Sequence, residues 1–205
     1  MPGPLAGVTL VVASFLIGAV PWGYLLGKAS RGIDLRTVGS GGTGATNVLR
    51  TLGPRASAVV ALLDILKGVL PVLLARSAGF NSSWVAAAAV ATVAGHCWSP
   101  FIGFKGGKGV ATGAGAAIAL FPYIVVIVPV MALVVWVTKF VSLGSLIAAG
   151  LGALLAVAYA AVGKLDWAFA VAIVAISAII TVRHEGNIRR LLQGRERRIG
   201  ETVTP

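Results

Sequence analysis

Six long apolar runs divide the chain, near residues 5–27, 56–75, 84–102, 110–137, 141–162 and 166–182. A helix needs roughly 20 apolar residues to cross the hydrocarbon of a bilayer. The pattern therefore predicts an all-α integral membrane protein, with residues 1–205 forming one domain. The first basic residue, Lys28, follows the first run instead of preceding it, so residues 5–27 read as a retained span and not as a cleaved leader. The fourth run is 28 residues long without a charge and carries Phe121-Pro122 near its middle. Proline removes a helical hydrogen bond and disfavours helix in the residue before it, which predicts a kinked helix or two short helices of about 12 and 16 residues.

Charge chooses between those readings. With the N-terminus outside and the fourth run split, the inner face holds Lys28, Arg31, Arg36, Arg50, Arg55, Lys105, Lys108, Lys139, Arg183, Arg189, Arg190, Arg195, Arg197 and Arg198. The outer face holds Arg76 and Lys164, and Lys67 lies within a span. Six spans would instead distribute the basic residues evenly. Basic residues concentrate on the cytoplasmic side of membrane proteins, so the pattern predicts seven spans, the N-terminus outside and the C-terminus cytoplasmic.

Composition agrees and excludes other classes. Mean hydropathy is +0.95 and only 11% of residues are charged, below the roughly 25% of soluble domains. The net charge of +11 is accounted for by the cytoplasmic face and does not call for nucleic acid. One cysteine rules out an internal disulfide, and two histidines with one cysteine do not make a four-ligand zinc site.

The predicted topology collects the polar segments on the cytoplasmic face. "GSGGTGATNVLR", residues 39–50, would leave its backbone groups unpaired in hydrocarbon. It contains Gly39-x-Gly41-x-x-Gly44, a dinucleotide fingerprint by letters, but that motif needs a preceding strand in a βαβ unit. What remains is local physics. Glycines let backbone N–H groups converge on an anion. Ser40, Thr43, Thr46 and Asn47 add donors, Arg50 adds a charged fork, and a helix starting near Thr46 would aim its N-terminus at that anion.

"FKGGKGVAT", residues 104–112, repeats the theme with Lys105, Gly106, Gly107 and Lys108, without Walker-loop spacing. Asp64 and Lys67 in "DILKG" stand three residues apart on one helical face inside a span, where ionisable groups are costly and should not face lipid. His96 in "GHCWSPF" is placed to move a proton or to donate a structural hydrogen bond. Ser142 and Ser145 sit at a helix start. "RHEGNIRRLLQGRE", residues 183–196, follows the last span with Arg183, His184, Asn187 and Glu196.

Together, "GSGGTGATNVLRTLG", "DILKGVLPV", "GHCWSPFIGFKGGKGVAT" and "RHEGNIRRLLQGRE", in this order, resemble the bacterial acyl-phosphate:glycerol-3-phosphate acyltransferase family (PlsY) from about residue 14 to 196. One departure is Gly42, where the family usually carries asparagine. The resemblance implies a seven-span enzyme of the bacterial inner membrane with its active site facing the cytosol. It implies acyl transfer from acyl phosphate to the 1-hydroxyl of glycerol 3-phosphate, giving lysophosphatidic acid and phosphate. It implies no metal or cofactor, and neither coenzyme A nor acyl carrier protein as the direct donor.

By the same resemblance, the first motif matters through Ser40 and Arg50, and we assign these two residues to acyl phosphate. Lys105 to Lys108 serve glycerol 3-phosphate, His184 and Asn187 matter for activity, and Glu196 for structural integrity. The acyl chain would lie between Ala/Gly-rich spans. No serine has a recognisable histidine and acid beside it, so direct attack by the glycerol hydroxyl is expected, with His184, His96 or acyl phosphate itself as base. The competing class is a transporter of a small phosphorylated anion. That class needs a midplane site reachable from both sides, whereas the polar motifs here gather on one face.

Overall fold

Pro21 and Pro122 interrupt two of the apolar runs and organise what surrounds them. The computed structural model describes residues 2–201, all of them helix, turn or loop. The single-domain expectation also covers Met1 and residues 202–205, which lie outside the described residues. The helices are α1 (Pro4–Ala19), α2 (Trp22–Arg31), α3 (Ala45–Leu52), α4 (Pro54–Ser77), α5 (Ser82–Cys97), α6 (Val110–Leu120), α7 (Ile127–Thr138), α8 (Val141–Ala161), α9 (Trp167–Arg183) and α10 (Glu185–Leu192). Short 3-10 turns occupy Pro100–Ile102 and Pro122–Val126.

Four helical stretches are long and apolar enough to cross a membrane: Pro4–Arg31, Pro54–Ser77, Ser82–Ile102 and Val141–Ala161. Val110–Leu120 and Pro122–Thr138 are apolar but shorter, and α9 reaches crossing length only together with α10, from which it is bent by 60°. The fourth apolar run does break at Phe121, into helices of 11 and 12 residues with the 3-10 turn between them.

The first run also breaks, at Val20-Pro21, which the sequence pattern treats as continuous. Pro21 has no N–H to continue the ladder, and the carbonyls at the break find other donors. Ser99 Oγ donates to Ala19 O at 2.6 Å and Lys67 Nζ donates to Val20 O at 2.8 Å. At the other break, Arg76 Nη2 donates to Leu120 O at 2.8 Å while its guanidinium lies 4.9 Å over Phe169. Arg76 thus caps a helix end, which explains a cation on the face that sequence assigns to the outside.

Two helix crossings are close because glycines face backbone in reciprocal pairs. A Cβ on Gly18 of α1 would lie 1.9 Å from Thr92 O, and one on Gly95 of α5 would lie 2.0 Å from Phe15 O. The same exchange joins α4 and α6, through Gly68 with Thr112 O and Gly115 with Ile65 O, each at 2.2 Å. Small residues let helices approach in this way when lipid offers no hydrophobic drive between them. Around α5 and α6 gathers the main core, including Val72, Val93, Leu120, Phe121, Ile173 and Ile176. The helices are held so that the loops 32–44 and 98–109 and the segment from Arg183 come together.

Candidate active site

The first glycine loop is tied together by one side chain. Asn47, in the first turn of α3, is 2% exposed. Its amide nitrogen lies within hydrogen-bonding distance of Leu35 O (3.1 Å), Val38 O (3.0 Å) and Gly42 O (2.9 Å). Its Oδ1 accepts from the Ser40 N–H at 3.0 Å. Gly39 has φ +64, and a Cβ there would sit 2.2 Å from Asn47 Oδ1, so the loop closes around the amide only with glycine at that position. Asn47 therefore spends its donors on the protein.

Ser40 is exposed, and its hydroxyl makes no hydrogen bond among the described residues. Gly41 has φ +69, Thr43 is buried, and Gly44 and Thr46 are half-buried around the start of α3, which begins at Ala45 close to its expected place. The dinucleotide letters find no strand before them, as the local context requires.

The second loop is tied from outside. Arg183 at the end of α9 donates from Nε to Gly107 O (3.2 Å) and from Nη2 to Gly106 O (3.3 Å), with its guanidinium 5.7 Å over Trp98. From the other side, the Gly107 N–H donates to His96 O at 3.1 Å. Lys105 is exposed and Lys108 half-buried. Burial pulls the Lys108 ammonium down to about 8, with Glu196 opposing and the neighbouring charges of Arg190, Arg50 and Arg183 reinforcing.

The third element is a lock on the tail. Glu196 accepts from Ser142 Oγ (2.8 Å), from Asn187 Nδ2 and from Arg190 Nε (2.8 Å). Burial raises its carboxyl, yet these hydrogen bonds outweigh burial and hold it below the usual range. Farther along, the Ile199 N–H donates to Lys139 O at 2.8 Å and Arg198 lies 5.6 Å over Phe140, so the tail crosses the start of α8. Ser142 is therefore held by the lock, and Ser145 donates to Val141 O within its own helix.

His184 sits between these elements, 2% exposed. Its Nδ1 is 2.8 Å from Ile180 O, a contact that requires the proton on Nδ1 and leaves Nε2 with its lone pair. Burial lowers its pKa to about 4, the Ile180 hydrogen bond opposing, so the ring is neutral at physiological pH. Arg50 is half-buried, and its Nε has no hydrogen-bond partner among the described residues. Burial lowers its pKa, and the charge of Arg197 acts in the same direction.

Arg50, Arg183, Arg190 and His184 lie within electrostatic reach of Lys108, and Glu196 is the balancing acid of this charged basin. Arg190 enters the sequence reading only as a cytoplasmic charge. Its position three residues after Asn187 on one helical face was the available signal.

Asp64, Lys67 and His96 lie outside that basin. They are 2%, 5% and 6% exposed. Lys67 Nζ is 2.8 Å from Asp64 Oδ1, and His96 Nδ1 is 3.6 Å from the same oxygen. Lys67 thus turns to Asp64 and Val20 O. An apolar cavity of about 100 Å³, open on one side, lies between α6, α7, α8 and α9. Gly113, Met131, Ser145 and Ile180 are among its walls, and Ile180 is also the residue whose carbonyl holds His184.

Comparison with known proteins gives the chain a family. A family model described as glycerol-3-phosphate acyltransferase matches residues 8–194. Glycerol-3-phosphate acyltransferase 1 of Deinococcus radiodurans is 45% identical over 202 residues, covering 98% of this chain and 99% of that one. Glycerol-3-phosphate acyltransferase of Geobacter sulfurreducens is 43% identical over 190 residues, covering 92% and 95%. Crystal structures of PlsY, an integral membrane glycerol 3-phosphate acyltransferase, superpose on this fold. The glycerol 3-phosphate form gives a TM-score of 0.87 at 38% identity, and the lysophosphatidic acid form 0.83 at 36%. Each covers 95% of this chain and 96% of that structure. The chain is a membrane-embedded, all-helical member of the glycerol-3-phosphate acyltransferase family.

Proposed function

We propose that this protein transfers an acyl group from acyl phosphate to the 1-hydroxyl of glycerol 3-phosphate, releasing lysophosphatidic acid and phosphate at the cytoplasmic face. The observation that carries the reading is the basin itself. Four cationic side chains and two glycine loops converge, enough positive charge for two phosphates held side by side. The apolar cavity one helical turn from His184 suits an acyl chain.

Arg50 and the Ser40 hydroxyl would hold the phosphate of the acyl donor, and Lys105 and Lys108 that of glycerol 3-phosphate. Asn187 and Glu196 keep α10 and the tail against the start of α8. The chemistry needs no protein nucleophile. The 1-hydroxyl oxygen forms the new bond to the acyl carbon, the bond from that carbon to the phosphate oxygen breaks, and the hydroxyl proton ends on the departing phosphate. Acyl phosphate is already activated, so the protein contributes placement and charge stabilisation at the oxyanion and leaving group. Neutral His184, with Nε2 free, is able to accept the hydroxyl hydrogen bond.

The test is donor selection. Purified protein with glycerol 3-phosphate should form lysophosphatidic acid from acyl phosphate, and no product from acyl-coenzyme A or acyl carrier protein. Product from a thioester donor alone contradicts the reading. We further propose seven spans with the tail in the cytoplasm of a bacterial inner membrane, supported by fourteen basic residues on one face against two. A cysteine replacing Arg197 should resist an impermeant external thiol reagent in intact cells. External labelling there contradicts the topology.

A further inference from the structure

One polar chain inside the protein is not used by this mechanism. It runs from the break in the first span to the lysine loop. Lys67 Nζ donates to Val20 O at 2.8 Å and sits 2.8 Å from Asp64 Oδ1. That oxygen faces His96 Nδ1 at 3.6 Å and has no well-aligned hydrogen-bond donor. The far side of the His96 ring meets the loop, where a Cβ on Gly107 would lie 2.1 Å from Nε2. A Cβ on Gly106 would lie 2.0 Å from His96 O, the oxygen that accepts the Gly107 N–H. So the backbone of Gly106–Gly107 packs closely against His96, while Arg183 donates to its carbonyls.

We propose that His96, held by the Asp64–Lys67 pair, is a positioning residue for glycerol 3-phosphate: it is the floor that sets the height of Gly106–Gly107 and thereby aims Lys108. Three observations converge on this role. All three side chains are buried and are turned on one another, on Val20 O and on the Gly107 backbone. A buried carboxylate beside a buried ammonium is costly unless the pair is fixed, and this pair fixes α4 against the first-span break and sets Asp64 Oδ1 3.6 Å from His96 Nδ1. Both loop glycines are in contact with His96, so the loop is shaped to that one residue. Lys108 follows Gly107 directly and shares the charge field of the basin. A site whose supporting groups loosen by about 1 Å loses much of its binding, which gives a buried floor leverage over affinity.

The proposal rests on the reading that this loop holds glycerol 3-phosphate. It is tested by calorimetric titration of the detergent-purified protein with glycerol 3-phosphate, alongside turnover with acyl phosphate. His96→Ala should weaken glycerol 3-phosphate binding about ten-fold or more while kcat at saturation stays within about three-fold. His96→Gln, which keeps a polar end near the position of Nε2, should recover most of that loss. Asp64→Asn with Lys67→Met removes both charges together and should weaken binding in the same direction with the fold intact. If His96→Ala does not fold, this double variant decides by the same criterion.

Unchanged binding in the folded variants overturns the proposal, as does a collapse of kcat with binding unchanged, which would make His96 catalytic. A shift confined to the KM for acyl phosphate overturns the assignment of the loop to glycerol 3-phosphate. Wild-type protein that binds glycerol 3-phosphate yet does not turn over acyl phosphate sinks the donor reading, while the binding titrations still decide the role of His96.

Discussion

The two glycine loops are built in opposite ways. The first is held by its own neighbour in sequence: Asn47 reaches back at most twelve residues to the carbonyls and N–H that it fixes. The second is held chiefly from far along the chain, by Arg183 reaching across 76 and 77 residues, with the nearer His96 packed against it. A self-tied loop keeps its shape wherever the rest of the bundle moves. A loop tied from outside is aimed by the bundle, and its affinity depends on α5 and α9 keeping their places.

The sharpest way to break this comparison is Asn47→Ala. It leaves the carbonyls of Leu35, Val38 and Gly42 and the Ser40 N–H without their partner. A buried polar group left unpaired costs about 1–3 kcal/mol, so a loss of about 3 kcal/mol or more is expected, with activity abolished. The melting curve in detergent reads the first and product formation the second. Arg183→Ala should be milder for stability, because backbone bonds remain in its loop, but should raise the KM for glycerol 3-phosphate roughly 10- to 100-fold. If Arg183→Ala unfolds the protein as thoroughly as Asn47→Ala, the contrast between the loops is wrong.

A subtler contrast lies in pH. Lys108 loses its proton near 8 in the folded protein and near 10.5 when unfolded. Between those values the folded state holds fewer protons, so this residue makes stability rise with pH there, and the cost of burying the charge is fully present below about 8. Anion binding needs the proton and should run the other way, with the KM for glycerol 3-phosphate rising above about pH 8. Lys108→Arg, whose charge does not titrate, should flatten that rise. A KM profile unaltered by the substitution would remove Lys108 from the binding site.

The smallest expected effect serves as a control. Gly44 has ordinary φ, and a methyl group added there would meet nothing within 4 Å, so Gly44→Ala should stay near wild type. Gly39→Ala, with φ +64 and Asn47 Oδ1 at 2.2 Å, should lose most activity. Equal behaviour of the two variants in turnover assays would mean that the loop is not closed around Asn47.

What the sequence reveals follows the same division between local and distant. The glycine runs, the start of α3, the split at Phe121-Pro122 and the basic inner face are local patterns, and each is readable from spacing and composition. The break at Val20-Pro21 was written in the same proline logic but is masked by apolar residues on both sides. The lock of Ser142, Asn187 and Arg190 on Glu196 is less readable, since Ser142 lies 54 residues from its partner. The same holds for Lys67: an ammonium in a span reads as a group that must avoid lipid, and only the fold reveals that the carbonyl of Val20, freed by a distant proline, has claimed it. Asn47 is a donor-rich side chain in a glycine loop, and no local rule separates a donor aimed at substrate from one aimed at backbone.

Direct acyl transfer from acyl phosphate to the hydroxyl of a second phosphate-bearing substrate is tested most directly by trapping. Protein mixed with labelled acyl phosphate, with glycerol 3-phosphate withheld, should carry no covalent label and release no burst of phosphate; adding glycerol 3-phosphate should then start both product and phosphate together. A stable acyl adduct on Ser40, with a phosphate burst matching the enzyme present, would contradict the account and make the exposed serine of the first loop a nucleophile.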